Sequence, residues 1–409
     1  MELRISEKAK AISPSPTLAI DSKFKQMKKQ GIPVVGFGAG EPDFNTPENV
    51  KEAGIQAIRD NFTRYTPASG TLELKQAICD KVKQDTGLDY TTANVIISNG
   101  GKHALTNTFM AILNPGDEVI IPAPYWVSYP EMVKMADGVP VSIETQEENN
   151  FKFTMDQLEA ALTEKTRALV LNTPSNPTGM IYTREELQKI ANFAVEHEIY
   201  VIFDEIYEKL VYEGEHVNIA TLGDEIRRLT IIVNGMAKTY AMTGWRIGYA
   251  VAEAPIVKAM SNMQSHATSN PNSIAQCASV EALKGDQSII DQMKAEYIKR
   301  RNYMVERINS IEGLSCREPH GAFYIFMNVK DVLGKEHYGR MIHTAHELCE
   351  DILDRALVAM VPSEGFGMEG YVRLSYAASM EVITTGLDRI EEYLQGKSEK
   401  IVYSDNSLD

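Results

Sequence analysis

Short apolar runs that do not alternate with polar residues constrain this chain more than anything else in it. Val95-Ile96-Ile97, Val119-Ile120-Ile121, Leu169-Val170-Leu171, Val201-Ile202-Phe203 and Ile231-Ile232-Val233 are too short for helices and carry no polar face. A strand that is apolar on both faces must be covered on both. That is the condition of parallel strands in a sheet with helices above and below. Strands are expected at 94–98, 118–121, 168–172, 200–203, 229–233 and 247–251. Segments of helical period lie between several of them. One is 184–197, with Thr183 as its cap and Glu186 three residues on, the pattern of a capping box. The chain therefore reads as α/β, with a doubly wound, mostly parallel sheet.

The 409 residues exceed what one compact core usually holds. Residues 1–46 read as an N-terminal arm and part of a small domain, and 47–290 as a large domain. Residues 291–396 read as a small α+β domain, reached through a long helix over 287–309 and holding strands at 321–326 and 372–375. Residues 397–409 read as a mobile polar tail. In the arm, Ser13-Pro14-Ser15-Pro16-Thr17 is expected to be extended, because a residue before proline avoids the α region. A short amphipathic helix is expected over 20–30.

A net charge of −15 offers no surplus of cations for a phosphate backbone, so nucleic acid is not expected as a partner. The four cysteines are far apart and form no Cys-x-x-Cys pair, so neither a disulfide framework nor a metal site is expected. No apolar run approaches the roughly 18 residues of a membrane span, and the first residues show no signal-peptide core. A cytoplasmic protein with no membrane partner is expected.

In open α/β sheets a ligand binds at the carboxyl ends of the strands. Four of the expected ends carry useful groups. After 94–98 come Gly100-Gly101-Lys102, two glycines opening a helix, where backbone N–H groups and the helix dipole suit a phosphate. After 168–172 comes Thr173-Pro174-Ser175-Asn176-Pro177-Thr178-Gly179, a stiff turn that fixes an asparagine at the crevice. The run 200–203 ends on Asp204, with Tyr207 one turn later; a buried carboxylate there calls for a cationic partner. Beyond 229–233 stand Lys238 and, eight residues on, Arg246. An amine can condense with an aldehyde while a guanidinium holds a phosphate.

With these motifs in this order, the chain resembles the fold-type-I, pyridoxal-phosphate-dependent aminotransferases of class I. It is most similar to the bacterial aspartate aminotransferases with the signature Met242-Thr243-Gly244-Trp245-Arg246-Ile247-Gly248-Tyr249. The resemblance runs from about Ser13 to about residue 393. It includes Ala39-Gly40-Glu41-Pro42-Asp43-Phe44, Tyr65-Thr66-Pro67, Pro124-Tyr125-Trp126 and Val372-Arg373-Leu374-Ser375.

The resemblance implies a homodimer with shared sites and pyridoxal 5′-phosphate as cofactor. It implies that Lys238 binds the cofactor covalently and later carries the substrate proton. Asp204 would pair with the ring nitrogen, Asn176 and Tyr207 would bond the phenolic oxygen, and Trp126 would stack on the ring. Gly100, Gly101, Lys102 and Arg246 would surround the phosphate, with Tyr65 reaching it from the other subunit. Gly40 and Arg373 would hold the substrate α-carboxylate, beside Trp126 and Asn176. Lys102, Ser15 and Thr17 would take a distal carboxylate. The implied reaction moves an amino group between L-aspartate and 2-oxoglutarate in ping-pong fashion.

Alternatives on the same fold are aromatic, alanine or prephenate transfer and carbon–sulfur β-elimination. Prephenate-using relatives carry a basic residue in the arm near Ser13, and positions 11–17 of this chain hold none. Gly235 stands where animal relatives place a phosphate-binding serine, which shifts weight to Arg246 and Tyr65. A dinucleotide site at Gly36-Phe37-Gly38-Ala39-Gly40 lacks both the full glycine spacing and a following helix.

Overall fold

The computed structural model describes residues 3–13 and 17–398. The chain forms two compact units. One comprises residues 3–13, 41–296 and 320–322, the other 17–40, 297–319 and 323–398.

The first unit is built on a seven-stranded sheet. Its strands are β1 (Val95–Ser98), β2 (Glu118–Ala123), β3 (Val139–Glu144), β4 (Thr166–Asn172), β5 (Tyr200–Asp204), β6 (Thr230–Gly235) and β7 (Gly248–Val251). Their spatial order is β1-β7-β6-β5-β4-β2-β3. The pairs β3–β2, β2–β4, β4–β5 and β5–β6 are parallel, while β7 runs antiparallel to both β6 and β1. The apolar runs fill both faces. Ile97, Ile232, Tyr249 and Val251 pack with the helices Leu72–Thr86 and Ser273–Lys284, whereas Ile96, Val170, Ile202 and Ile231 pack with the helix Gly101–Ile112. Such residues hold the sheet, and truncating one of these isoleucines to alanine costs about 2–5 kcal/mol.

β3 was not expected. It is an edge strand, largely exposed and carrying Pro140, so it has none of the continuous apolar character of the others. The helix Arg184–Glu196 forms with the expected capping box of Thr183 and Glu186.

The second unit holds an antiparallel sheet in the order Val361–Pro362, Tyr371–Ser375, Tyr324–Asn328 and Ser315–Cys316, together with the helices Thr17–Lys29, Ala345–Ala356 and Met380–Leu394. The strand expected at 321–326 begins only at Tyr324, because Gly321 bridges to Val211 in the first unit. The long helix forms over Ser288–Ser310. In the arm, Ser15 lies outside the described residues, and Thr17 opens a helix instead of extending the proline segment. The expected tail falls almost wholly outside the described residues. Among these, no helix is long and apolar enough to cross a membrane.

Candidate active site

Parallel pairing brings the expected strand ends into one row. Asn172 of β4 lies in register with Asp204 of β5, and Asp204 with Val233 of β6. Lys238 follows five residues after Val233, half-buried in the turn beyond β6. Its charge acts on the Asp204 carboxyl.

Asp204 is 5% exposed. Its Oδ2 accepts a 2.6 Å hydrogen bond from the Tyr129 hydroxyl, and its Oδ1 accepts one from the Ile206 N–H at 3.2 Å. Burial pushes this carboxyl up to about 6, against the pull of those two donors and of Lys238. A carboxylate so placed favours a cation opposite it. Tyr207, also buried, stands in a hydrogen-bonded turn after β5, where a helical turn was expected from the sequence.

Asn172 was not singled out from the sequence, yet it organises the next loop. Its Nδ2 donates to the Asp204 carbonyl at 3.1 Å, and its Oδ1 accepts from the Asn176 N–H at 2.8 Å. Asn176 is thereby held beside the row.

The glycine turn meets β7 end-on. Gly100, at φ +90°, caps the helix Gly101–Ile112, and a Cβ there would lie 2.3 Å from Arg246 Nη2. A Cβ on Gly248 would lie 2.2 Å from the Gly101 nitrogen, and one on Gly235 2.9 Å from the Ile247 carbonyl oxygen. Arg246 adopts φ +58°, unfavourable for a side-chain-bearing residue. Its Nη1 donates to the Thr243 carbonyl at 2.8 Å and its Nη2 to that of Asn99 at 3.3 Å. Lys102 lies 4.8 Å over the Trp126 ring, and Trp126 meets Tyr129 edge-on at 5.4 Å. Partial burial, with Arg246 adding repulsion, holds the Lys102 ammonium below the usual lysine range. Two cations beside a helix N-terminus, in a turn too tight for side chains, form an anion cradle. A phosphate fits there, and a protonated ring nitrogen fits at Asp204. We expect Gly248→Ala to force the glycine turn apart. Overpacking of this kind costs about 1–3 kcal/mol, visible as a lower thermal midpoint and weaker phosphate binding; an unchanged midpoint would show that the turn can yield.

In the second unit, Arg373 is 7% exposed. Its Nη2 donates to the Gly38 carbonyl at 3.2 Å, and the guanidinium lies 4.5 Å over the Tyr324 ring and 5.2 Å over that of Phe366. Gly40 is exposed, and a Cβ on it would meet the Tyr324 hydroxyl at 3.6 Å. Tyr65 stands 91% exposed on the loop between the helices Glu48–Arg59 and Leu72–Thr86. Tyr129, whose hydroxyl holds the Asp204 carboxyl, is not among the residues expected from the sequence; its one signal there is its place three residues after Trp126.

The sequence model of the family described as aminotransferase class I and II matches residues 32–390. An aspartate aminotransferase of Bacillus sp. (strain YM-2) is 46% identical over 396 residues, covering 97% of this chain and all of that relative. An aspartate/prephenate aminotransferase of Nitrosomonas europaea is 44% identical over 396 residues, covering 96% of this chain and all of that relative. The crystal structure of the aspartate aminotransferase from Rhizobium meliloti superposes with a TM-score of 0.93 at 41% identity, covering 97% of this chain and all of that one. A likeness that spans almost every residue in sequence and in fold makes this chain a member of the class I and II aminotransferases.

Proposed function

We propose that this aminotransferase moves the amino group between L-aspartate and 2-oxoglutarate, giving oxaloacetate and L-glutamate, with pyridoxal 5′-phosphate as cofactor. The observation that carries this reading is the row at the carboxyl edge of the sheet, where buried Asp204 ends β5 and half-buried Lys238 stands in the turn beyond the neighbouring β6, beside the glycine cradle. When bound, pyridoxal phosphate supplies an aldehyde that joins an amine and a protonated ring that accepts electron density from the substrate Cα.

The residues then divide the work. Asp204, steadied by Tyr129, holds the proton on the ring nitrogen. Asn176 and Tyr207 bond the phenolic oxygen, and Trp126 covers one ring face. Gly100, Gly101, Lys102 and Arg246 hold the phosphate. Lys238 would hold the cofactor through its amine and, once freed, would serve as the base that moves the proton at the substrate Cα. Arg373 and Gly40 take the α-carboxylate, Arg373 with its planar fork of donors. Lys102, with Ser15 and Thr17 of the arm, takes the distal carboxylate.

The homodimer is part of the same proposal. The apolar side chains of Ile55, Ile58, Phe62, Tyr65 and Leu72 are exposed within one stretch, which supports burial against a second copy. Tyr65 would then reach the partner's phosphate.

The test is to load the protein with pyridoxal phosphate, record its visible spectrum, and add L-aspartate without any oxo acid. Conversion of the bound cofactor to its amine form, with release of oxaloacetate, is the expected result. A cofactor spectrum that aspartate leaves unchanged would sink the substrate assignment. Failure to take up the cofactor would sink the whole reading. The name of the Nitrosomonas europaea relative favours prephenate as a second acceptor, to be offered in the same assay. The absence of a basic residue from positions 11–17, around Ser13, weighs against it.

A further inference from the structure

Directly after Asp204 comes a second buried carboxylate that the reaction above does not use. Glu205 is 3% exposed. Consecutive residues at a strand end point to opposite sides. Asp204 meets Tyr129, whereas Glu205 meets a different set of partners. Its Oε2 accepts from Asn218 Nδ2 at 2.9 Å and lies 2.8 Å from His216 Nε2. Its Oε1 accepts from Asn234 Nδ2 at 3.4 Å. Its own N–H donates to the Val233 carbonyl at 3.0 Å, and Asn234 Oδ1 accepts from the Gly235 N–H at 2.7 Å. Glu205 thus joins the end of β5, which carries Asp204, to the end of β6, which leads to Lys238.

We propose that Glu205 is a positioning residue for amino-group transfer: it fixes Asp204 relative to Lys238, and its buried negative charge reinforces that of Asp204 at the ring nitrogen. This rests on the functional reading above.

The electrostatics run in the same direction. After burial and the hydrogen bonds, the Glu205 charge also pushes the Asp204 carboxyl upward, making it the stronger partner for a proton on a ring. The other ionisable groups acting with Glu205 are Lys81 from the helix Leu72–Thr86, Tyr90, Tyr249 of β7 and His216. Burial holds both tyrosines neutral. Burial disfavours the charge on Lys81, but Glu208, Tyr249, Asp85 and Glu205 together outweigh it and keep the ammonium well above its usual range. Glu205, Glu208 and His216 could also offer ligand atoms within 4.8 Å of one another. The Lys81 ammonium already sits against Glu208, and amide donors already face Glu205. The cluster is therefore a neutralised polar network and not a cation site.

The test compares wild type, Glu205→Gln, His216→Gln and Glu208→Gln, each loaded with pyridoxal phosphate carrying ¹⁵N in the ring. Two quantities are read: the cofactor dissociation constant, and the pH at which the ring nitrogen loses its proton by solid-state NMR. Glu205→Gln is expected to bind about tenfold more weakly, the factor that one unit of pKa represents, and to lose the ring proton at lower pH. His216→Gln restores an N–H donor and is expected to match wild type. Glu208→Gln removes charge from the same cluster without touching Glu205; it is expected to lose thermal stability while keeping the ring-nitrogen midpoint. Wild-type affinity and midpoint in Glu205→Gln, or an equal shift in Glu208→Gln, overturns the proposal. If Glu205→Gln does not fold, Asn218→Ala serves in its place: weaker cofactor binding supports the proposal and unchanged binding overturns it. Wild-type protein that takes up no cofactor overturns the functional reading itself, whereas wild-type uptake with an indifferent Glu205→Gln overturns this inference alone.

Discussion

Lys238→Ala is expected to retain no more than about 10⁻⁴ of the wild-type kcat, while the protein keeps its fold and still binds pyridoxal phosphate through the cradle. Positioned acid–base catalysis alone contributes about 10²–10⁴, and Lys238 is asked for more than that. It must hold the cofactor, yield it to the substrate, and then carry a proton between two carbons. Its place makes this credible. It is half-buried beyond β6, one strand from Asp204 and close enough to act on the Asp204 carboxyl. The glycine turn, Arg246 and Lys102 belong to other segments, so the substitution leaves the phosphate cradle intact. The loss should therefore appear in kcat and in the single-turnover rate with L-aspartate, with far less effect on cofactor affinity. Circular dichroism and a cofactor titration control for folding. A variant with more than a tenth of wild-type kcat would remove Lys238 from the role of base.

The strands that carry the site were legible because being covered on both faces leaves a direct mark on composition. The runs at 95–97, 169–171, 201–203 and 231–233 could hardly be anything else, and each ended on a residue that the structure brings to the same edge. What was not legible depends on neighbours distant in sequence. β3 is an edge strand, and a strand with one exposed side and a proline resembles a loop. The antiparallel direction of β7 is decided by how the chain returns to the sheet, and its apolar run does not record that. Tyr129 reads as an ordinary aromatic until the fold brings it to Asp204 from 75 residues away. Asn172 looks like the end of a strand until its amide is seen bridging Asp204 and Asn176. Local chemistry at a strand end could be read from the sequence; the groups that orient it could not.

Asp204 gives the second large effect, with a sign that depends on pH. Without a cation opposite, burial raises this carboxyl from its ordinary 3.8 to about 6. The folded protein without cofactor therefore binds a proton that the unfolded chain releases between those values. The stabilisation is fully present below the unfolded value and is lost as pH rises through about 6, by roughly 3 kcal/mol at most. A protonated ring nitrogen against Asp204 removes that penalty, because the charged carboxylate then has its partner. The rise in thermal midpoint on loading pyridoxal phosphate should accordingly be larger at pH 7.5 than at pH 5. Asp204→Asn has no charge to desolvate and no anion to offer. In that variant the gain on loading should be small and nearly the same at both pH values. Its kcat should fall on the order of 10²–10⁴-fold, the equivalent of the roughly 3–5 kcal/mol lost when one partner of a buried pair is removed. The phosphate cradle and Lys238 also bind the cofactor, and both are present in the variant, so the difference between the two proteins isolates Asp204. Equal pH dependence of the loading gain in wild type and Asp204→Asn would mean that the buried carboxylate does not face the ring nitrogen.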